Sequence, residues 1–308
     1  MSSAMARALV VGGNGFLGAH LVDALVADGW QVDVFDRFST APRYRSTSAR
    51  AHRGTFSVGD EIRQAVDGHD LIVHALSGTT PSNSLGGPQA DLQANVVPTL
   101  DMLGEAVRTG VGRVLFISSG GTVYGSAQGA VPEDAPLMPI SPYGIGKVAT
   151  EHYLRYFEIE HGLRSASLRV ANPYGLRADG TLPEFGLVSA LLRAAATDGR
   201  VTRLGDGSMV RDYLHVDDVI AQARPVIADP SFSGALNIGS GAGRSVQEII
   251  DLVRATTGAA LPVDEREVPA SFVDHIVLDT TRFAERFGTV SQVPLREGIE
   301  RTWREWRS

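Results

Sequence analysis

The chain has 308 residues, 43% apolar and 20% charged, with no cysteine and a formal net charge of −7. That length suits one large or two modest domains with substantial cores, and the balance is that of a soluble globular protein. The acidic excess argues against a nucleic-acid partner, the absence of cysteine excludes disulfides, thiolate metal sites and a cysteine nucleophile, and no apolar run reaches the length of a membrane span.

Residues 1–4 read as an extension, with Met5 a candidate start. The short apolar stretch that follows runs straight into a glycine turn, unlike a signal peptide. These features fit a cytoplasmic location. Residues 8–11 read as a buried strand, followed by Gly12-Gly13-Asn14-Gly15-Phe16-Leu17-Gly18. Phe16, Leu17, His20, Leu21, Ala24 and Leu25 then recur at helical spacing until Gly29 offers a stop. Residues 31–35 form the next strand, ending in Asp36. Residues 37–53 are rich in Ser and Arg and lack periodicity, as a mobile surface loop would. A short strand is expected at residues 55–58 and a buried one at 71–76, before a Gly/Ser/Thr/Pro loop at 77–88. In open parallel sheets ligands bind at such strand ends.

A long helix over residues 89–109 stops at Gly110, and a buried strand at 113–117 leads into Ser118-Ser119-Gly120-Gly121-Thr122-Val123-Tyr124-Gly125. Ser141-Pro142 reads as a helix cap with proline in the first turn; that helix runs to about His161 and stops at Gly162. Residues 165–170 close the clear strand–helix alternation, which predicts βαβ units and a parallel sheet. Beyond Asn172 the elements shorten: helices near 185–196, 216–228, 246–256 and 296–306, and a strand at 235–238. The expected division is residues 1–171 and 172–308, with an approximate boundary and some later segments free to return to the first domain.

Strand, glycine turn and helix are the parts of a dinucleotide site. Glycines let the backbone approach a pyrophosphate, and the helix N-terminus supplies free N–H groups. The glycines fit both GxGxxG (Gly13, Gly15, Gly18) and GxxGxxG (Gly12, Gly15, Gly18). Asp36, about 20 residues on, is placed to bind the adenosine ribose hydroxyls. Its charge favours NAD over NADP, whereas the adjacent Arg37 is a residue that can hold a 2′-phosphate. Tyr143 and Lys147, one helical turn apart, share a face. A lysine beside a tyrosine lowers the phenol's pKa, so that it can take a proton from a sugar hydroxyl.

On these residues the chain resembles the extended short-chain dehydrogenase/reductase family, in particular its nucleotide-sugar epimerases and dehydratases. The resemblance covers nearly the whole chain. It implies an α/β fold, a doubly wound parallel Rossmann sheet with a smaller C-terminal substrate-binding domain, and NAD as cofactor. By the same resemblance, cofactor contacts fall on Gly12, Gly15, Phe16, Leu17, Gly18, Asp36, Arg37, Asp60, Glu61, Ala75, Leu76, Asn95, Ser118, Tyr143, Lys147 and Ala171. Catalysis falls on Tyr143 and Lys147, and the nucleotide sugar is expected at Gly120, Thr122, Asn172 and Arg211. The most specific run is Gly205-Asp206-Gly207-Ser208-Met209-Val210-Arg211-Asp212-Tyr213.

The sequence also departs from the family. Its catalytic Ser/Thr falls on Gly120, leaving Thr122 and Ser119 as the nearest hydroxyls to bond O4 and so as catalytic candidates beside Tyr143 and Lys147. The Asp-Glu pair of 4,6-dehydratases is replaced by Gly121 and Thr122. A second phosphate-binding Arg falls near Pro269, with Arg266 three residues earlier. His215, Asp217 and Asp218 start a helix and read as structural, so no metal is expected. His74 reads as a core histidine, and Trp303 and Trp306 as packing for the last helix.

The implied reaction is NAD-dependent epimerisation at C4 of a nucleotide-activated hexose of the UDP-sugar type, through a 4-keto sugar. The alternative is an NAD(P)H-dependent 4-ketoreductase of a deoxysugar nucleotide; a non-catalytic NAD-binding sensor is disfavoured by the Tyr143/Lys147 pair. A homodimer is expected through the helices at 89–109 and 143–161, the first bearing the stripe Leu92, Val96, Leu100, Leu103 and Val107.

Overall fold

The computed structural model describes residues 5–308, so the extension at residues 1–4 lies outside the described residues. The strands are β1 (Arg7–Val11), β2 (Gln31–Asp36), β3 (Arg50–Arg53), β4 (Leu71–His74), β5 (Arg113–Ser119), β6 (Ala130–Val131), β7 (Arg164–Val170), β8 (Asn172–Tyr174), β9 (Val201–Leu204), β10 (Val210–His215), β11 (Gly234–Ile238), β12 (Gly243–Ser245), β13 (Val263–Arg266) and β14 (His275–Leu278). The helices are α1 (Phe16–Ala27), α2 (Asp60–Val66), α3 (Pro88–Asp91), α4 (Val97–Thr109), α5 (Gly120–Val123), α6 (Pro142–His161), α7 (Leu187–Ala196), α8 (Val216–Ala228), α9 (Val246–Thr257), α10 (Thr281–Phe287) and α11 (Leu295–Arg307). They form two compact units of non-consecutive segments. The first comprises Met1–Ser119, Ser141–Arg169 and Ala223–Leu236; the second comprises Gly120–Ile140, Val170–Gln222 and Asn237–Ser308. Relative to a single boundary at Asn172, residues 120–140 join the second unit and residues 223–236 the first.

The first unit is built on a seven-stranded sheet of order β11-β7-β5-β4-β1-β2-β3. β1 pairs in parallel with β2 and β4, so the order reverses beside β1, the switch point at which such sheets bind dinucleotides. Val10, Val11, Ile72, Val73 and Val114 are fully buried, because strands covered on both faces have no solvent side.

Residues 37–53 are not a mobile loop. β3 pairs in parallel with β2, and the chain before it is anchored at several points. The Arg45 and Ser46 amides donate to Asp23, the Arg43 amide donates to Asn14 Oδ1 at 2.7 Å, and Tyr44 is buried. The strand expected at residues 55–58 is displaced to Arg50–Arg53. An edge strand can form from polar residues because its pairing is backbone alone.

The expected long helix is continuous but contains a π turn, Leu92–Val96, between α3 and α4. Pro98 has no N–H to give the carbonyl four residues back, and the wider turn steps the backbone past that gap. α6 starts and ends as its sequence predicts. Ser141 accepts from the Gly144 amide at 3.2 Å, proline occupies the first turn, and Gly162 closes it with φ 71°.

The second unit holds a sheet of order β12-β10-β14-β6, with β8 also pairing β10, and a two-stranded β9/β13 sheet. Its core gathers Leu191, Leu192, Ile249, Ile250, Val253 and Ile299, and Trp303 and Trp306 pack against it from α11, as their spacing predicts. Asp212, only 1% exposed, ties this unit together. It accepts from the amides of Ser240 (2.9 Å), Gly241 (3.1 Å) and Leu278 (3.3 Å).

Candidate active site

The glycine turn fits both spacings, since a Cβ on Gly13 would also lie 2.5 Å from Val34 Cγ1. Gly12 has φ +81°, and a Cβ there would lie 2.6 Å from the Leu76 backbone; a Cβ on Gly18 would lie 2.1 Å from the Gly12 carbonyl oxygen. Both glycines are therefore demanded by close backbone approach. Gly15 caps α1 without a side-chain hydrogen bond, leaving first-turn N–H groups for an anion. Phe16 is buried and stacks edge-on to His20, while Leu17 is half-buried. Asp36 stands at the end of β2, where its carboxylate accepts from the Asn14 amide (3.1 Å) and the Phe38 amide (3.3 Å). Arg37 points to solvent. Ala75 continues β4 by donating to the Val11 carbonyl at 2.9 Å. Asp60 and Glu61 open α2, Asp60 exposed beside Arg63 and Glu61 accepting from the Thr55 amide at 2.8 Å.

At the ends of β4 and β5, one cleft is lined by His74, Leu76, Asp91, Asn95, Thr99, Phe116, Tyr143 and Lys147. Lys147 is buried; its ammonium donates to the Ile117 carbonyl at 2.8 Å and lies 4.6 Å from the Phe116 ring centre and 5.5 Å from that of Tyr143. Burial pulls its pKa down to about 8, against the opposing charges of Asp91 and Glu151. The Ser119 side chain is near enough to the Tyr143 phenol to favour its ionised form. The expected lowering of the Tyr143 pKa is not found. Burial pushes it up to about 12, assisted by Asp91 and only partly offset by Ser119. The reason is geometric: the Lys147 ammonium is turned to the Ile117 carbonyl, and desolvation of the phenol dominates.

The cleft has a supporting layer. Thr99 gives its hydroxyl proton to the Asn95 carbonyl (2.6 Å), so His74 Nε2, 2.9 Å away, must carry the hydrogen of the bond between them. His74 lies between Phe56 and Phe116, and burial, with Lys147 second, drives its pKa down to about 3. It is thus a neutral core histidine. The Asn95 side chain accepts from the Gly78 amide at 2.7 Å and donates to Asp91. Ser118 donates to Glu151 at 2.5 Å, and Glu151 is gripped by Arg169, so this serine's side chain is engaged inside the protein.

The remaining expected residues lie in the second unit. Gly120 is buried in α5, and the Thr122 hydroxyl is buried without a hydrogen-bond partner among the described residues. A Cβ on Gly121 would lie 3.4 Å from Asn172 Nδ2, which donates to the Asp212 carbonyl at 3.2 Å. Arg211 donates to the carbonyls of Val210 (2.8 Å), Asp274 (3.0 Å) and Val273. Ala171 is buried and donates to the Ile238 carbonyl at 2.8 Å. Arg266 is exposed at the end of β13. Beside His215 and Asp217 sits the Arg301 guanidinium, 2.6 Å from the carboxylate, so a cation already faces that acid.

The sequence model of the NAD dependent epimerase/dehydratase family matches residues 8–239. The chain belongs to this family. It is 36% identical to a UDP-glucose 4-epimerase of Mycolicibacterium smegmatis, covering 96% of this chain and 97% of that protein. Among solved structures it is similar to UDP-glucose 4-epimerase of Thermotoga maritima with UDP-glucose, at TM-score 0.90, 31% identity and 98% coverage of each chain. The Thermus thermophilus UDP-glucose 4-epimerase in complex with NAD is similar at TM-score 0.89 and 29% identity, covering 98% of this chain and 99% of that one. The family's cofactor fits the residues present. A turn that a Cβ at Gly12 or Gly18 would fill, an uncapped helix start and a fixed Asp36 carboxylate are what a dinucleotide needs.

Three features of this family member lie outside the motif reading. Asn14 pins the chain after β2 through the Arg43 amide and the Ala41 carbonyl. Asp91, 1% exposed, lines the cleft four residues before Asn95; that helical spacing was the available signal. Lys147 is the only lysine in the chain, every other basic side chain of the Lys/Arg class being arginine.

The depressed Lys147 pKa has a sign that unfolding can read. Between about 8 and 10.5 the unfolded chain keeps a proton that the folded chain has released, so this group's contribution to stability is full above about 10.5 and lost as pH falls through about 8. Denaturant titrations of the parent and of Lys147→Met across that range should show the parent gaining on the variant as pH rises. A difference independent of pH would contradict the buried, depressed lysine.

Proposed function

We propose that this NAD-dependent family member interconverts C4 epimers of a nucleotide-activated hexose of the UDP-sugar type, as a cytoplasmic homodimer. The observation that carries the reading is one cleft lined by Tyr143 and the buried Lys147 at the carboxyl edge of a dinucleotide-binding sheet. The curated and solved relatives named UDP-glucose 4-epimerase support it. In this reading Gly12, Gly15, Phe16, Leu17 and Gly18 receive the pyrophosphate, Asp36 the adenosine ribose, and Asp60 and Glu61 the adenine side. Ala75, Leu76, Asn95, Ser118 and Ala171 line the remainder. NAD supplies the acceptor that takes the C4 hydrogen as hydride and returns it, and when oxidised adds a further positive charge.

Tyr143 removes the O4 proton as the C4–H bond breaks, giving a 4-keto sugar, and returns that proton after the sugar has presented its other face. Lys147 holds the nicotinamide ribose and keeps a positive charge near the phenol. Ser119 hydrogen-bonds the phenol, and Thr122 offers its buried hydroxyl to the sugar. Gly120 leaves room where other members carry a hydroxyl, Asn172 contacts the nucleotide, and Arg211 the diphosphate. Asp36 favours NAD over NADP, Arg37 being turned to solvent.

The homodimer rests on an apolar face. On the expected stripe, Val96 and Leu103 are buried and Val107 packs on the core, whereas Leu92 is 43% exposed. α6 supplies the face that stripe lacked: Ile145, Tyr153, Tyr156 and Ile159 fall on one side and are 41–73% exposed. Such a patch on a soluble protein marks an interaction site. Light scattering of Ile159→Glu should give a monomer mass where the parent gives a dimer; an equal mass for both rejects this face.

A panel of UDP- and dTDP-hexoses, each incubated with the protein and NAD, should yield the C4 epimer with no net change in nicotinamide absorbance. Net oxidation of NAD(P)H on a 4-keto sugar would favour the reductase. Tyr143→Phe keeps the ring and should keep NAD binding, while turnover falls by about 10²–10⁴-fold, the usual contribution of general acid–base catalysis. Near-parent turnover in that variant would remove Tyr143 from the mechanism.

A further inference from the structure

Asp91 ends α3 on the inner side of the π turn and is 1% exposed. A buried carboxylate is destabilising unless it is paired or hydrogen-bonded. Its Oδ1 accepts from the Thr79 hydroxyl and from Asn95 Nδ2 at 3.2 Å, and its main-chain carbonyl accepts from the same Nδ2 at 3.1 Å. Oδ2 takes neither bond and faces α6. A Cβ added at Gly146 would lie 2.8 Å from Oδ2, so the glycine before Lys147 is what lets this carboxylate reach the helix surface. Asp91, Tyr143, Gly146 and Lys147 line one and the same cleft, with no direct ion pair between Asp91 and Lys147.

We propose that Asp91 is a positioning residue for the reaction: a fixed, buried counter-charge that holds Lys147 as an ammonium in the catalytic cleft. The proposal rests on the assignment of Lys147 to the active site. Other groups around Lys147 do not replace Asp91. From β4, His74 is neutral; from β5 come the Ile117 carbonyl and the Phe116 ring; and on α6 itself Tyr143 is protonated and Glu151 is bound to Arg169 and Ser118. Burial lowers the Lys147 pKa, and Asp91 is the larger of the two charges opposing that fall. Removing the carboxylate therefore moves Lys147 further towards the neutral amine at working pH. Asp91 also raises the Tyr143 pKa, so its loss shifts both groups in the same, acid-ward direction.

Because Lys147 is the only lysine, its ionisation can be read directly. In protein labelled with 13Cε-lysine, one side-chain signal should titrate near 8 in the full-length parent. Asp91→Asn keeps the shape and removes the charge, and the midpoint should fall by about one pH unit, as loss of a nearby opposite charge requires. An unmoved midpoint in folded Asp91→Asn overturns the proposal, even if epimerisation is lost. Asp91→Ser, which removes the charge and keeps a small polar group beside Asn95, should lower the midpoint by a similar amount. Should Asp91→Asn fail to fold, Asp91→Ser decides: movement supports the counter-charge, and none refutes it. The pH profile of epimerisation is the second arm, whose limbs should move acid-ward in Asp91→Asn. A uniform fall with fixed limbs would make Asp91 merely structural. Absence of epimerisation in the parent would count against the proposed reaction and leave the lysine titration to judge Asp91.

Discussion

An ammonium group removed from water at the carboxyl edge of a parallel sheet is the constraint around which the first unit is arranged. A buried charge is tolerated only when polar partners replace its hydration. Lys147 has the Ile117 carbonyl, the faces of two aromatic rings and the charges of Asp91 and Glu151. Each of these depends on something further away. Glu151 is held by Arg169 and Ser118, Asp91 by Thr79 and Asn95, and Asn95 by a π turn that Pro98 favours and that the Thr99 hydroxyl bonds. The result is a cleft whose groups are fixed before substrate arrives, which is what a site needs if proton transfer is to require little reorganisation.

The parts of this arrangement visible in the sequence are those with local chemistry. The glycine turn is legible because Gly12 and Gly18 occupy positions where a Cβ would strike backbone. α6 is legible because Ser141, Pro142 and Gly162 each act within a few residues of themselves. β3 is not legible: Arg50, Ala51, His52 and Arg53 show no apolar alternation, and the strand exists because β2 offers it an edge. The short strands of the second unit fail for the same reason, since they are fixed by partners far away in sequence, as β10 is by β8, β12 and β14.

Buried polar residues leave little trace in the sequence. Asp91 offers only its four-residue spacing to Asn95 and Asn14 offers none, so each is explained by what surrounds it: the α6 surface at Gly146 for one, the Arg43 amide for the other. The Tyr143 phenol shows the limit of pairwise reasoning. A neighbouring lysine alone predicts a lowered pKa, but the same burial that assembles the cleft outweighs it and leaves the phenol protonated near neutral pH.

C4 epimerisation turns on one event, the departure and return of a single hydrogen at C4 within one closed site. The most direct measurement uses a UDP-hexose carrying deuterium at C4, incubated with the protein and NAD in ordinary water, with the product read by mass and NMR. The account predicts that the epimer forms with its deuterium still at C4. Loss of the label to solvent would mean that C4 exchanges as a proton, and label released in free reduced nicotinamide would mean net oxidation; either result contradicts the account.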